Sequence, residues 1–170
     1  NTWMHVGFVR VDQEKMSKSL GNFFTVREVL KQYDPEVLRY FILASHYRSP
    51  LDYSDENLKA AKSTLDGLYI ALRGITPGKA GEGEHTRRFD AAMADDFNTP
   101  AALAVLFDLA RTMNKARGDV VGAAAELRAL GGKLGLLGRD PEQYLKGGTT
   151  GGLGETEIEA LVTRRNEARK

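Results

Sequence analysis

Cysteine is absent from all 170 residues, so the chain can form no disulfide and offers no thiolate to a metal. Histidine occurs only at His5, His46 and His85, with no metal-ligand spacing between the three. Charge is nearly balanced, with 24 Lys and Arg against 23 Asp and Glu. A net charge of +1 gives no global basic field for nucleic acid, so any such contact must come from local patches. No apolar run reaches membrane length and no signal peptide opens the chain, which makes a cytoplasmic location the default expectation. The chain starts at Asn1 without Met and enters a strand-like run at once, as expected of a piece of a longer protein. What is present is globular: 42% hydrophobic and 28% charged residues, in a length that suits one domain or two small ones.

The stretch Lys15-Met16-Ser17-Lys18-Ser19-Leu20-Gly21-Asn22 organises the rest. Two lysines flank a Met-Ser pair, and each carries a compact charge on a flexible stem suited to phosphate oxygens. The Ser17 and Ser19 hydroxyls can donate to the same oxygens, and Gly21 lets the backbone turn. Two lysines alone also describe any solvated surface loop, so the composition of the loop leaves both readings open. Ahead of it, Trp3 to Val11 is aromatic and β-branched, which predicts a strand apolar on both faces. One strand cannot bury both faces, so its sheet partners are expected to be missing or to lie in another chain.

Behind the loop the pattern turns helical. Thr25-Val26-Arg27-Glu28 predicts a capping box, with Val26, Val29, Leu30 and Tyr33 at helical spacing. Asp34-Pro35-Glu36 opens a second helix carrying Val37, Leu38, Phe41, Ile42 and possible core residue Ala44, which ends at His46-Tyr47-Arg48-Ser49-Pro50. Ser54-Asp55-Glu56 caps a long helix with Leu58, Ala61, Leu65, Leu68, Tyr69 and Leu72 as its apolar stripe. Residues 74–84 read as a loop. A bundle follows: His85–Ala94 with Phe89 and Met93 inward, then a helix capped by Thr99-Pro100 with Leu103, Leu106, Phe107, Ala110 and Met113. Asp119 opens another with Val121, Ala124, Leu127, Leu130, Leu134 and Leu137 buried, and Asp140-Pro141-Glu142 caps a short turn. Residues 146–154 read as a second loop, and Thr156–Lys170 as a closing helix with a basic end of Arg164, Arg165, Arg169 and Lys170 that meets phosphates or complements the dipole. The paired Asp95 and Asp96 suit a metal or acid–base work in principle, but at a helix junction acids and Asn fill capping roles.

The order Lys-Met-Ser-Lys-Ser-Leu-Gly-Asn resembles the second signature of class I aminoacyl-tRNA synthetases. With Trp3-Met4-His5, Asn22-Phe23-Phe24-Thr25-Val26-Arg27, His46-Tyr47-Arg48-Ser49-Pro50-Leu51 and Asp95-Asp96-Phe97-Asn98-Thr99-Pro100, the chain resembles the cysteinyl-tRNA synthetase family from Trp3 to about Lys170. His5-Val6-Gly7-Phe8 looks like a damaged copy of the first signature, but it lacks the second His and stands too close to the lysine loop; His5 reads as a structural strand residue. The resemblance implies a mainly α fold: one residual strand of the catalytic domain, the lysine loop and stem-contact helices in residues 1–52, then an antiparallel helical bundle of the DALR anticodon-binding type in 53–170.

It further implies that the intact enzyme activates cysteine with ATP and Mg2+ and transfers it to tRNA(Cys). By residue-by-residue match, Lys18 contacts ATP, Lys15 helps hold the loop, Ser17 and Ser19 are secondary ATP contacts, Met16 is a packing anchor and Gly21 a hinge. Arg39, His46, Tyr47 and Arg48 are candidates for contact with the tRNA inner arm, or they simply knit the domain junction together. The Zn2+ that binds the substrate thiolate would have its ligands before Asn1, so no metal residue is assigned here. The anticodon-reading residues would follow Lys170, the fragment is expected to be inactive alone, and a monomer is expected. Competing readings are a non-catalytic tRNA-binding helical module, the paralogous cysteine ligase of mycothiol synthesis, and a methionine or leucine enzyme of the same class. The Phe23-Phe24 and His46-Tyr47-Arg48 matches speak against the last of these, and the bundle after Asp96-Phe97-Asn98-Thr99-Pro100 against the mycothiol enzyme.

Overall fold

In a computed structural model of the chain, the structure describes all residues except 12, 13, 18, 21, 23, 82, 116–119, 148–163, 166 and 168–170. Three short strands come from both sides of the lysine loop: β1 (Val9–Val11), β2 (Glu14–Lys15) and β3 (Leu51–Tyr53). They form one sheet in the order β2-β1-β3, with β1 antiparallel to β2 and parallel to β3. The sheet corrects two expectations. The strand spans only Val9–Val11 rather than Trp3–Val11, and its partners lie within this chain. Its length is limited by its partner. Pro50, with no N–H to donate, precedes β3, and Ser54 follows it as the cap of the next helix. Trp3, Met4, Val6 and Phe8 therefore stand exposed instead of buried.

The predicted caps at Thr25, Asp34, Ser54 and Asp140 are present. Around α1 (Val26–Val29), Thr25 and Glu28 exchange the two bonds of the capping box, but the helix stops after four residues and continues as turns to Tyr33. The residue before Pro35 cannot stay helical, so Asp34 ends one segment and its carboxylate accepts from Glu36 N–H at 2.8 Å to cap α2 (Pro35–Leu43). Ser54 caps α3 (Asp55–Leu72) by accepting from Asn57 N–H. After residues 74–83, where no regular structure is described, come α4 (Glu84–Ala94), α5 (Thr99–Lys115), α6 (Val121–Lys133) and α7 (Pro141–Gly147). The cap of α5 is Asn98, whose side chain accepts from Ala101 N–H at 3.2 Å, and not Thr99. Val121 is exposed rather than buried, because the first turn of α6 lies at the edge of the bundle. Asp119, residues 148–154 and most of the closing helix predicted over Thr156–Lys170 lie outside the described residues.

Helix α3 is the spine. Every residue of its predicted stripe is buried, and it packs against α2, α5 and α7. One continuous apolar cluster runs from Val29 and Phe41 through the stripe to Leu106, Leu127 and Tyr144. Among the described residues no helix is long and apolar enough to cross a membrane.

A polar network staples the start of α2 to the far end of the bundle. Arg139 makes two bonds to Asp34, at 2.7 and 2.8 Å, and reaches Glu36 Oε2 at 3.0 and 3.1 Å. Glu36 also accepts from Leu137 N–H at 2.7 Å and from the buried Tyr69 hydroxyl at 2.9 Å. Tyr69 stacks on Tyr144, ring centres 3.8 Å apart, and Tyr144 donates to Asp66. Burial and the Glu36 carboxylate push the Tyr69 hydroxyl up to about 12, so it stays a donor. Glu36→Ala leaves the Tyr69 hydroxyl and Leu137 N–H without their acceptor and is expected to cost about 3 kcal/mol, with Glu36→Gln costing less; urea denaturation of the variants checks both the size and the order.

Candidate functional site

The lysine loop leaves the sheet at β2 and is held by its own polar side chains. Met16 N–H donates to Val9 O at 3.1 Å, extending the β1–β2 pairing by one bond. The Met16 side chain is half-buried and lines an apolar pocket with Val9, Phe24, Val29, Phe41 and Tyr53, the place of a packing anchor. Asn22 then closes the loop on itself. Its side-chain oxygen accepts from Ser17 N–H at 2.9 Å, and its amide donates to Lys15 O at 3.3 Å. The Ser17 hydroxyl accepts from Leu20 N–H and lies 3.1 Å from that of Ser19. Asn22 needs both an acceptor and a donor to bridge two backbone groups, which an amide supplies and a carboxylate does not. The sequence pattern alone assigns Asn22 no role; its one signal there is its place where the loop returns.

Lys15 is exposed, and its ammonium lies 5.6 Å from the centre of the Phe8 ring, which Arg10 also approaches at 5.4 Å. Three cation-bearing or hydroxyl side chains of the predicted set, Lys15, Ser17 and Ser19, are thus gathered on one loop. The fourth, Lys18, lies outside the described residues, as does the predicted hinge Gly21.

The candidate nucleic-acid residues fall into two groups. His46, Tyr47 and Arg48 sit together in the turn between α2 and β3. His46 stacks on Tyr47 with ring centres 4.9 Å apart, and the Arg48 guanidinium lies 5.3 Å over Tyr47. All three converge on Asp96, in the turn between α4 and α5. Arg48 Nε and Nη2 donate to the two carboxylate oxygens at 2.6 and 3.1 Å, the Tyr47 hydroxyl donates at 2.5 Å, and His46 Nε2 is 3.9 Å away. Arg48 first, then Tyr47, holds the Asp96 carboxyl down to about 2, well below its ordinary value. The expected capping is present in Asp95, at the C-cap of α4, and Asn98, at the N-cap of α5, while Asp96 instead reaches across to another element. Asp96 and Phe97 both take φ of +53°, a left-handed backbone uncommon outside glycine, and the Phe97 ring is 53% exposed. A turn of two left-handed residues cannot be read from composition, which is why this partnership was missed.

Arg39 stands apart, exposed on α2 beside Gly135, which turns with φ +70°. A Cβ on Gly135 would lie 3.1 Å from Arg39 Nη1, so the guanidinium rests directly on backbone. It makes no ion pair or hydrogen bond with the described residues, whereas Arg48 and Arg139 are both engaged by carboxylates. Among the described residues no group of three or more His, Asp or Glu is placed to hold a metal ion.

Comparisons with known proteins bear on both halves. Residues 1–63 match the model of the tRNA synthetases class I (C) catalytic domain, and residues 88–138 match the DALR domain. The chain is 62% identical over its whole length to a cysteine–tRNA ligase of Thioalkalivibrio sulfidiphilus, and 56% identical over 99% of its length to one of Tolumonas auensis. A cysteine–tRNA ligase of Neisseria meningitidis serogroup B is 56% identical over 98% of the chain. The chain spans 38% of the length of the first two relatives and 36% of the third. Among solved structures, the agnB2 LeuRS of Agrobacterium radiobacter K84, crystallised in a ternary complex with tRNA and LeuAMS, superposes with a TM-score of 0.57. That match covers 84% of this chain and 22% of the other at 21% identity, and so speaks for the fold alone. With a segment of the class I (C) synthetase catalytic domain in front, a DALR domain behind it and relatives of one name along its full length, the chain matches the C-terminal part of cysteine–tRNA ligases.

Proposed function

We propose that this chain is the part of a cysteine–tRNA ligase that supplies the ATP-phosphate loop and the tRNA-contacting helical domain. The observation that carries the reading is the lysine loop itself, tied by Asn22 and Met16 to the sheet and presenting Lys15, Ser17 and Ser19 on one turn. In the proposed reaction the cysteine carboxylate attacks the α-phosphorus of ATP, a P–O bond forms to the amino acid, and the bond to the β-phosphate breaks to release pyrophosphate. Negative charge gathers on the departing phosphates. Fixed cations placed beside them lower the barrier more than they strengthen ground-state binding. Lys18 is assigned that contact, Lys15 holds the loop and shares its field, and the Ser17 and Ser19 hydroxyls donate to phosphate oxygens. Magnesium, when bound with ATP, supplies further charge neutralisation. The chain has no Cys, and no group of three or more His, Asp or Glu among the described residues is placed to hold the thiol-binding zinc.

The division of labour we assign has two parts, and the first matched segment, residues 1–63, runs past their boundary into α3. Residues 1–52 are assigned to the end of the catalytic domain, and residues 53–170 to the helical tRNA-binding domain. Transfer of cysteine to tRNA(Cys) then requires the helical domain to meet the RNA. Arg39 is the better phosphate contact of the candidates, since it has no carboxylate partner among the described residues. Tyr47 and Arg48 are already engaged by Asp96 and His46 stacks on Tyr47, so these three are assigned first to the junction and only secondarily to RNA. The chain by itself is expected to be inactive, and the parent protein to act as a cytoplasmic monomer.

Two experiments on the full-length protein test this. Lys18→Ala should slow cysteine-dependent ATP–pyrophosphate exchange by about a hundredfold or more while leaving cysteine binding almost unchanged, the mark of a group that acts in the transition state; an unchanged rate would remove Lys18 from the site. Arg39→Ala should weaken tRNA binding and lower the slope of log affinity against log salt by about one, as loss of one phosphate contact does; titrations at several salt concentrations measure both.

A further inference from the structure

The lysine loop and the helical domain are connected by something more specific than a shared apolar core. Asp96 lies in the α4–α5 turn and grips the side chains of Tyr47 and Arg48. The backbone of the α2–β3 turn, which carries Tyr47 and Arg48, in turn grips the run leading into β1. Gly7 N–H donates to Tyr47 O at 2.8 Å, and Leu51 N–H donates to Phe8 O at 3.1 Å. Gly7 has no room for a side chain, because a Cβ there would stand 2.1 Å from Ser49 O and 2.8 Å from Pro50 N. The path then runs through the parallel pairing Val9↔Leu51 and the antiparallel pairing Arg10↔Lys15 to the first residue of the loop. The first link is made by exposed side chains, those of Arg48 and Tyr47 on Asp96, and every later link is a backbone bond or a close backbone contact.

We infer that Asp96 is a positioning residue that sets the lysine loop from the helical domain, acting through Tyr47 and Arg48 and the Gly7–Ser49 contact. The left-handed backbone at Asp96 and Phe97 is consistent with this. Two left-handed residues in succession persist where the surroundings over-determine them, and here the turn delivers a carboxylate to a two-point guanidinium contact with another element. The device links the element that would meet tRNA to the element that would meet ATP, and it rests on the proposed ligase reading.

The test is a kinetic split in the full-length enzyme. D96N keeps the shape of the side chain and removes its charge. It is expected to lower kcat for cysteine-dependent ATP–pyrophosphate exchange about tenfold without changing KM for cysteine, although Asp96 belongs to the other domain. R48A should give the same loss, and the D96N/R48A double variant should be no slower than either single one, as expected for two ends of one contact. R48K, which keeps the charge and loses the two-point fork, gives a reading that does not depend on the behaviour of D96N. G7A should reproduce the split with the Asp96 contact intact. Unchanged kcat in D96N and R48K, or additive losses in the double variant, would overturn the inference. Absence of cysteine-dependent exchange in the wild type would instead overturn the ligase reading beneath it.

Discussion

The parallel pairing of Val9–Val11 with Leu51–Tyr53 is the constraint on which the rest depends. It joins two stretches separated by the whole lysine loop and the first two helices. Three residues on each side suffice because the contact is reinforced at one end by backbone packing of Gly7 on Ser49 and Pro50. Beyond the sheet, Phe24 and Phe41 both pack against Tyr53, so the third strand also carries the apolar floor beneath the loop. Remove that pairing and Lys15, Ser17 and Ser19 have no fixed relation to the helices.

The helical part is secured differently. Its apolar stripe gives the driving force, roughly 25 cal/mol per Å² of apolar surface buried, but stripes alone permit sliding. The Arg139–Asp34–Glu36 group and the stacked Tyr69–Tyr144 pair fix where the start of α2 meets α7. Specific polar contacts of this kind add directionality that burial does not have. The result is one continuous core under two differently built regions, with the Asp96 contact just past the other end of α2 closing the second seam.

Much of this was legible beforehand, for physical reasons. Helix caps are local, so Thr25, Asp34, Ser54 and Asp140 could be read directly and are found accepting the expected bonds. The α3 stripe was legible because 3.6-residue periodicity survives over eighteen residues. The sheet was not, since strands of two or three residues carry no periodicity and β3 hides between a proline and a cap. The tips of the site divide in the same way. Lys15, Ser17 and Ser19 could be named from the loop alone. The partnership of Asp96 with Tyr47 and Arg48 spans 49 and 48 residues of sequence, and depends on two left-handed residues that no pattern announces. The roles of Asn22 as a clasp and of Gly7 as a contact face are likewise consequences of where the backbone arrives, not of the residue type.

The central claim is that this loop serves the activation of cysteine. The most direct measurement is ATP–pyrophosphate exchange by the full-length protein with cysteine, with methionine as the control amino acid and the 170-residue chain assayed alongside. The account predicts exchange with cysteine, none above background with methionine, and none with the isolated chain. Exchange driven by methionine, or none with cysteine, would contradict it and leave a helical RNA-binding module with a phosphate-binding loop.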